Sequence, residues 1–464
     1  MGTKEFLKDL KQASSLFKKL DNANDLLIIC HNDCDGICAA AILYSSFLHS
    51  FNNVEVVSYN FLTEDLIKNI SKKSAHIVFF ADIGSSNKDL IEEMLCKKTV
   101  ILLDHHLNSS KKTKENIIEI NPTNYGIDGT KEISASGVAF LFAKEASKEN
   151  EIYAHLAVIG ASGDLQLKEK VDGLNKKILE IAIKNKLIEK EKCLRIFGSS
   201  TKPLAKALSM YTDFSIPNAC GTIKEAEEFL VAAGIDPNEH GKPRKLDDLD
   251  KKELAMLEKK IFAARVGEKN PKDIYGIKYL LNNYPKEISD IREISTLINA
   301  CGRMGNVETG IGVCLNEINA INKAYDILSD YRRELKLSMD WFSKNNNNEK
   351  ISVSEKYIIL DCAQEVSWKI AGPFCSLVAH TKEAENKLIF CLADTQEGLT
   401  KISSRAAKGA INGTQLNEIL FKAGCDINGC NLGGHKISAG GIIPTSSKKE
   451  YIENLKKELK TLLI

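Results

Sequence analysis

The segment His31-Asn32-Asp33-Cys34-Asp35-Gly36 packs one imidazole and two carboxylates into a single short stretch. Carboxylates this close repel one another, and a bound divalent cation is a common remedy. The same two kinds of group recur at Asp82, in the triplet Asp104-His105-His106, and at Asp164. Mixed imidazole and carboxylate donors suit Mn²⁺, with Mg²⁺ or Zn²⁺ as alternatives. The chemistry these residue types support is therefore metal binding, with His31, Asp33, Asp35, Asp82, Asp104, His105, His106 and Asp164 as the residues in hand.

Distant residues meet only if elements deliver them to one place. Apolar runs at Leu26–Cys30, Val54–Tyr59, His76–Asp82, Thr99–Asp104 and Ile117–Asn121 read as strands. Helical segments separate the earlier ones, which predicts a parallel sheet covered on both faces. The first, third and fourth runs end at the candidate ligands. In such a sheet, ligands bind outside the carboxyl ends of the strands. Residues 153–161 read as a buried helix that delivers Asp164. Ser134-Ala135-Ser136-Gly137 opens another helix, whose free N–H groups suit either a phosphate or plain capping by Ser134.

The totals set limits on the rest. A chain of 464 residues accommodates about two or three domains. Its net charge of +1 excludes a global basic field, so nucleic acid would need a local patch. Thirteen cysteines with no CxxC pair read as reduced thiols of a cytoplasmic protein. No apolar run reaches the roughly 18 residues of a membrane span.

With these residues in place, the chain resembles the DHH phosphoesterase superfamily, named for the Asp-His-His triplet. The order HNDCDG, Asp82, Asp104-His105-His106, Asp164 follows that family's motifs. Within it the chain looks most like RecJ-type single-strand exonucleases, particularly the archaeal RecJ-like proteins, some associated with the GINS replication complex. Asn299-Ala300-Cys301-Gly302-Arg303-Met304-Gly305 resembles a RecJ segment. Gly433-Gly434-His435-Lys436-Ile437-Ser438-Ala439-Gly440 resembles the Gly-Gly-His loop of the DHH-associated C-terminal domain. The resemblance implies two divalent ions, one on His31, Asp33 and Asp82, the other on Asp35, Asp82, His105 and Asp164. It implies that His106 contacts the scissile phosphate or assists proton transfer, with Asp104 orienting a neighbouring histidine. It implies that Arg303, Ser403, Arg405, Gly433, Gly434 and His435 hold the phosphates of a single strand.

The expected fold is α/β. A five-stranded parallel sheet domain spans 1–314, interrupted by a helical insertion at about 190–290. Residues 315–348 form a connecting helix and an Asn-rich linker, and 349–464 a smaller α/β domain. The expected function is removal of nucleotides from an end of single-stranded DNA or RNA, in replication or repair. Two rivals stand beside it: a phosphodiesterase for short oligoribonucleotides or cyclic dinucleotides, and a binding subunit of a replication assembly.

Overall fold

The computed structural model describes residues 2–20, 25–107, 116–167, 171–196, 198, 202–209, 216–268, 274–345, 349–410, 415–434 and 436–461. The first unit runs α1 (Gly2–Phe17), β1 (Leu26–His31), α2 (Cys34–Phe47), β2 (Val54–Tyr59), α3 (Glu64–Ser71), β3 (Ile77–Ala81), α4 (Lys88–Met94), β4 (Thr99–Leu103), β5 (Ile117–Ile120), α5 (Ala135–Ala146), α6 (Ala154–Gly163) and α7 (Gly173–Lys184). Its five strands are all parallel, in the order β2-β1-β3-β4-β5. Successive residues of a strand face opposite sides. Ile28, Cys30 and Phe79 therefore join the core beneath α1, α2, α5 and α6. Leu27, Ile29 and Phe80 join the core beneath α3 and α4. Burial on both faces is why these strands read as unbroken apolar runs.

The chain next forms β6 (Ile188–Leu194), α8 (Leu204–Ser209), α9 (Ile223–Ala232), the short β7 (Asn238–Glu239) and β8 (Lys242–Pro243), α10 (Lys251–Ala264) and β9 (Tyr275–Leu281). The insertion is thus not purely helical: β6 and β9 pair antiparallel at its base, from Ile188↔Leu281 to Leu194↔Tyr275. Their mostly polar, exposed residues hid them from an apolar-run reading. The insertion has its own core, built on Leu208, Phe229, Leu230, Leu257 and Ile261.

Then follow α11 (Ile291–Arg303), α12 (Val307–Cys314) and the long α13 (Ile318–Asn345). Tyr331 on α13 packs against the cores of both flanking units. The last unit comprises β10 (Ile351–Val353), β11 (Tyr357–Ala363), α14 (Ala371–Ala379), β12 (Leu388–Asp394), β13 (Leu399–Ala406), α15 (Leu416–Gly424), β14 (Asn431–Gly434), β15 (Ser438–Pro444) and α16 (Lys448–Thr461). Its six-stranded mixed sheet has the order β10-β11-β12-β13-β15-β14. Gly433 and Gly434 belong to a strand rather than to a loop, because they pair with Gly440 and Ala439 of β15. All thirteen cysteines are free thiols. Among the described residues no helix is long and apolar enough to cross a membrane.

Candidate metal centre

In the strand order, β1 has β2 on one side and β3 on the other, so the direction of winding reverses between β1 and β3. The crevice at such a switch point is where open α/β sheets bind ligands. His31 ends β1, Asp82 follows β3, and Asp104 to His106 follow β4. Asp33 caps α2, its Oδ1 accepting from the Gly36 N–H at 3.2 Å. Burial pushes the Asp33 carboxyl up, but the charges of His31 and Arg303 outweigh it and hold Asp33 well below its ordinary value.

Asp35, in the first turn of α2, is fully buried. Its carboxylate lies at the N-terminus of α5, where Oδ2 accepts from the Ala135 N–H at 2.7 Å and Oδ1 from the Ser136 N–H at 3.1 Å. The Ser136 hydroxyl adds a short third bond to Oδ1. Ser134 caps the helix through the Gly137 N–H. The anion held by this helix end is therefore the protein's own Asp35. Gly160 on α6 leaves the necessary room, since a Cβ there would stand 2.5 Å from Asp35 Oδ1 and overlap the Ser136 hydroxyl.

The Asp104 carboxylate accepts from four N–H groups. Its Oδ1 accepts from the His105 N–H at 2.8 Å, the His106 N–H at 3.2 Å and His106 Nδ1 at 2.8 Å, and its Oδ2 from the Ser85 N–H at 3.1 Å. It orients His106, whose side chain is 43% exposed at the strand edge. His105 is oriented differently. Its Nδ1 lies 2.6 Å from the Gly129 carbonyl, which only accepts, so Nδ1 carries the proton. Its Nε2 then faces Asp82 Oδ1 at 3.2 Å, Asp164 Oδ2 at 3.4 Å and Asp35 Oδ2 at 3.9 Å.

Two lone pairs, on His105 Nε2 and Asp82 Oδ1, thus point at each other when the ring is neutral. Burial lowers His105, but Asp82 and Asp164 override it and raise the ring well above its ordinary value, so either a proton on Nε2 or a bound cation satisfies both atoms. Asp82 Oδ1 is buried without a hydrogen-bond partner. So is His31 Nδ1, which lies 2.7 Å from Asp33 Oδ2 and 3.4 Å from Asp82 Oδ2 without acceptable hydrogen-bond geometry. The electrostatics agree. Burial and the neighbouring Asp82 push Asp35 up to about 6. Burial and Asp35 push Asp164 well above its ordinary value. Burial lowers His31, but Asp33 and Asp82 override it and raise the imidazole to about 9. These acids cannot all ionise together without added positive charge. Ligand atoms of His31, Asp33 and Asp82 lie within 4.8 Å of one another, as do those of Asp35, His105 and Asp164, and those of Asp82, Asp104, His105 and His106, although Asp104 is already met by four N–H donors. The donor sets fit divalent metal, and Asp82 contacts a histidine of each set. Asp82 also has φ 62, a left-handed conformation that costs a non-glycine residue about 1–3 kcal/mol.

The expected phosphate-binding residues fall into two groups. Arg303 ends α11 beside the metal centre, its guanidinium on Asp33 Oδ2 at 3.3 Å and Asn32 Oδ1 at 3.4 Å. The same helix secures the turn, since the Cys34 N–H donates to Asn299 Oδ1 at 3.1 Å. Gly302 lies so close that a Cβ would sit 2.7 Å from the Asn32 carbonyl carbon. Ser403 and Arg405 lie on β13, with Arg405 Nε bonded to Ser376 Oγ at 2.9 Å. Gly433 is two strands away, because β15 runs between β13 and β14. His435 lies outside the described residues. Gly129 and Gly160 were not expected in the site, whereas Ser136 and Asn299 fell inside the Ser-x-Ser-Gly helix start and the Asn299–Gly305 segment without an assigned role.

Residues 25–163 match the DHH family, N-terminal domain, residues 354–463 the DHHA1 domain, and residues 196–275 the DHH-CID domain. The chain belongs to the DHH superfamily. An uncharacterised protein of Methanocaldococcus jannaschii is 28% identical over 461 residues, covering 97% of each chain. The structure of RecJ with Mn²⁺ from Thermus thermophilus aligns with a TM-score of 0.59 at 17% identity. That alignment covers 98% of this chain but only 55% of the Thermus protein. Cdc45 from Entamoeba histolytica aligns with a TM-score of 0.63 at 12% identity over 98% of both chains. The superfamily assignment makes a metal-dependent phosphoesterase the expected class of activity.

Proposed function

We propose that this protein is a metal-dependent exonuclease that removes mononucleotides from an end of single-stranded DNA or RNA. The observation that carries the reading is the convergence of His31, Asp33, Asp35, Asp82, His105 and Asp164 at one edge of the sheet, with Asp82 Oδ1 buried and unbonded, beside Lys401 and Arg405 at the boundary of the two units. Among the described residues no carboxylate pairs with Lys401 or Arg405. Burial, Arg303 and Arg405 lower Lys401 to about 7. An acidic metal centre facing a cationic wall suits a phosphodiester with divalent ions, Mn²⁺ foremost and Mg²⁺ next. Such ions supply charge neutralisation at the phosphoryl oxygens and a nucleophile usable at neutral pH. The chain's own residues do the rest. His31, Asp33, Asp35, Asp82, His105 and Asp164 fix the ions. His106, held by Asp104, contacts the scissile phosphate and passes a proton to the leaving oxygen. Burial lowers His106, but the charge of Asp104 prevails and favours its protonated form. Arg303, Ser403, Arg405, Gly433, Gly434 and His435 hold the strand. In this reading 1–314 is the catalytic unit, 315–348 the connector and 349–464 the substrate-binding unit.

The Cdc45-like fold favours a second role, in which the same chain is a subunit of a replication assembly such as one with the GINS complex. One experiment tests the enzyme reading: Mn²⁺-dependent digestion of end-labelled single-stranded DNA and RNA by wild type and Asp82→Ala. Mononucleotide release that vanishes in the variant is expected. Equal rates on blunt duplex, or a preference for dinucleotides over long strands, would overturn it.

A further inference from the structure

Three side chains meet at the boundary of the two units without taking part in the metal centre. Phe61 lies two residues beyond Tyr59, the last residue of β2, which pairs in register with His31. It thus stands at the edge of the sheet that carries the ligands. Its ring centroid is 6.1 Å from that of Trp368, at an interplanar angle of 59°. Trp368 opens the short turn before α14 in the other unit. Lys401 of β13 places its Nζ 5.3 Å from the Phe61 centroid. The Asn431 side chain donates to the Leu62 carbonyl at 3.2 Å, fixing this loop against β14.

None of this is core construction on the side of Phe61. Both rings are half-buried, and Phe61 joins none of the hydrophobic cores found among the described residues. An aromatic ring left out of every core, adjoining cations that lack a carboxylate, matches the combination used by single-strand binders. Those proteins pair a positive path for the backbone with aromatic faces for the bases. Lys401 lies on the Phe61 face and also near Arg303 and Arg405.

We propose that Phe61 and Trp368 form a stacking slot for the base of the nucleotide whose phosphate Lys401 and Arg405 grip. This rests on the single-strand nuclease reading and adds that the enzyme grips a base as well as a phosphate. A base in a duplex is already stacked and paired, so the slot selects strands whose bases are free.

The test compares kcat/KM, with Mn²⁺ and the full chain, on a natural DNA strand and on one carrying abasic residues at the terminal positions of both ends. Stacking of one base on an aromatic side chain is worth about five- to a hundredfold. Wild type is expected to lose a factor of that size on the abasic strand, a comparison that needs no mutation. Phe61→Leu and Trp368→Leu should lose a similar factor on the natural strand and nothing further on the abasic one, with Mn²⁺ binding retained. Phe61→Tyr should behave as wild type. Equal wild-type rates on the two strands, or a variant loss that is the same on both, overturns the slot while leaving the nuclease reading intact. No cleavage of either strand by wild type overturns the nuclease reading and the slot with it.

Discussion

Ser136→Ala tests the metal centre from a residue that touches no candidate ion. The Ser136 hydroxyl supplies one of three hydrogen bonds to a fully buried carboxylate, the others coming from the backbone at 2.7 and 3.1 Å. A hydrogen bond to a charged group contributes about 1.5–3 kcal/mol. Losing it lets Asp35 rotate and raises its affinity for a proton. Substitution of a group that orients a metal ligand typically weakens metal binding about ten- to a hundredfold. The affinity of the site at Asp35 for Mn²⁺, measured by calorimetric titration of metal-free protein, should fall by that factor. The sign of the pH dependence follows from Asp35 lying at about 6, held up by burial and Asp82 and drawn down in part by Ser136. Without the hydroxyl the carboxyl moves higher, so protons compete more strongly with the ion. The deficit of the variant should therefore be largest near pH 6 and shrink toward pH 8, as the carboxylate ionises in both proteins. Saturating Mn²⁺ should restore most of the activity, which a collapsed fold would not allow. Binding of Mn²⁺ at wild-type strength near pH 6 would refute the claim that the end of α5 holds Asp35 for a metal.

Asp104→Asn should leave Mn²⁺ binding in place, because all four contacts to its carboxylate come from protein N–H groups. Turnover should drop about a hundred- to ten-thousandfold as His106 loses its orientation and its protonated form, and single-turnover rates on a labelled strand would read this. Lys401 sits at about 7 because burial and then Arg303 and Arg405 disfavour its charge. The ammonium is thus present below pH 7 and lost above it, so binding of a single strand should weaken from pH 7 to 8.5. Lys401→Arg, which stays charged, should flatten that slope in a fluorescence-anisotropy titration.

The parts of this design that were legible in sequence are those carried by side-chain type in short windows. Leu26–His31 and Thr99–Leu103 are buried on both faces, so each is written as an apolar run whose end is marked by the first charged group. That sufficed to place His31, Asp82 and Asp104 to His106 on one edge. The supports of the site were less legible because they are made of backbone. The Gly129 carbonyl that sets the His105 tautomer and the Ala135 N–H that holds Asp35 carry no residue signature. Their partners lie 24 and 100 residues away. Gly433 and Gly434 read as a loop because glycine signals turns, whereas both lie in β14, and at Gly434 a Cβ would stand 2.6 Å from the Ala439 Cα of β15.

The distribution of charge binds these pieces together. Asp33, Asp35, Asp82 and Asp164 converge in a chain whose net charge is only +1, and the protein answers them with little positive charge of its own. Asp35 receives the end of α5 and Asp33 receives Arg303, while Asp82 Oδ1 receives no hydrogen bond. Across the boundary the imbalance is reversed, for Arg405 disfavours the charge of Lys401, and among the described residues no carboxylate pairs with either. Bringing the acids of the first unit against the cations of the second would cancel both, yet the contacts described between them include Asn431 to Leu62, the rings of Phe61 and Trp368, and Lys401 over the Phe61 ring. The fold holds the two charges near each other and unneutralised. A single divalent ion would satisfy the acids alone and a single anion the cations alone. A phosphodiester that meets the metal with one oxygen and the cations with another satisfies both sets, which is why phosphoryl chemistry at this boundary is preferred over metal storage or simple anion binding.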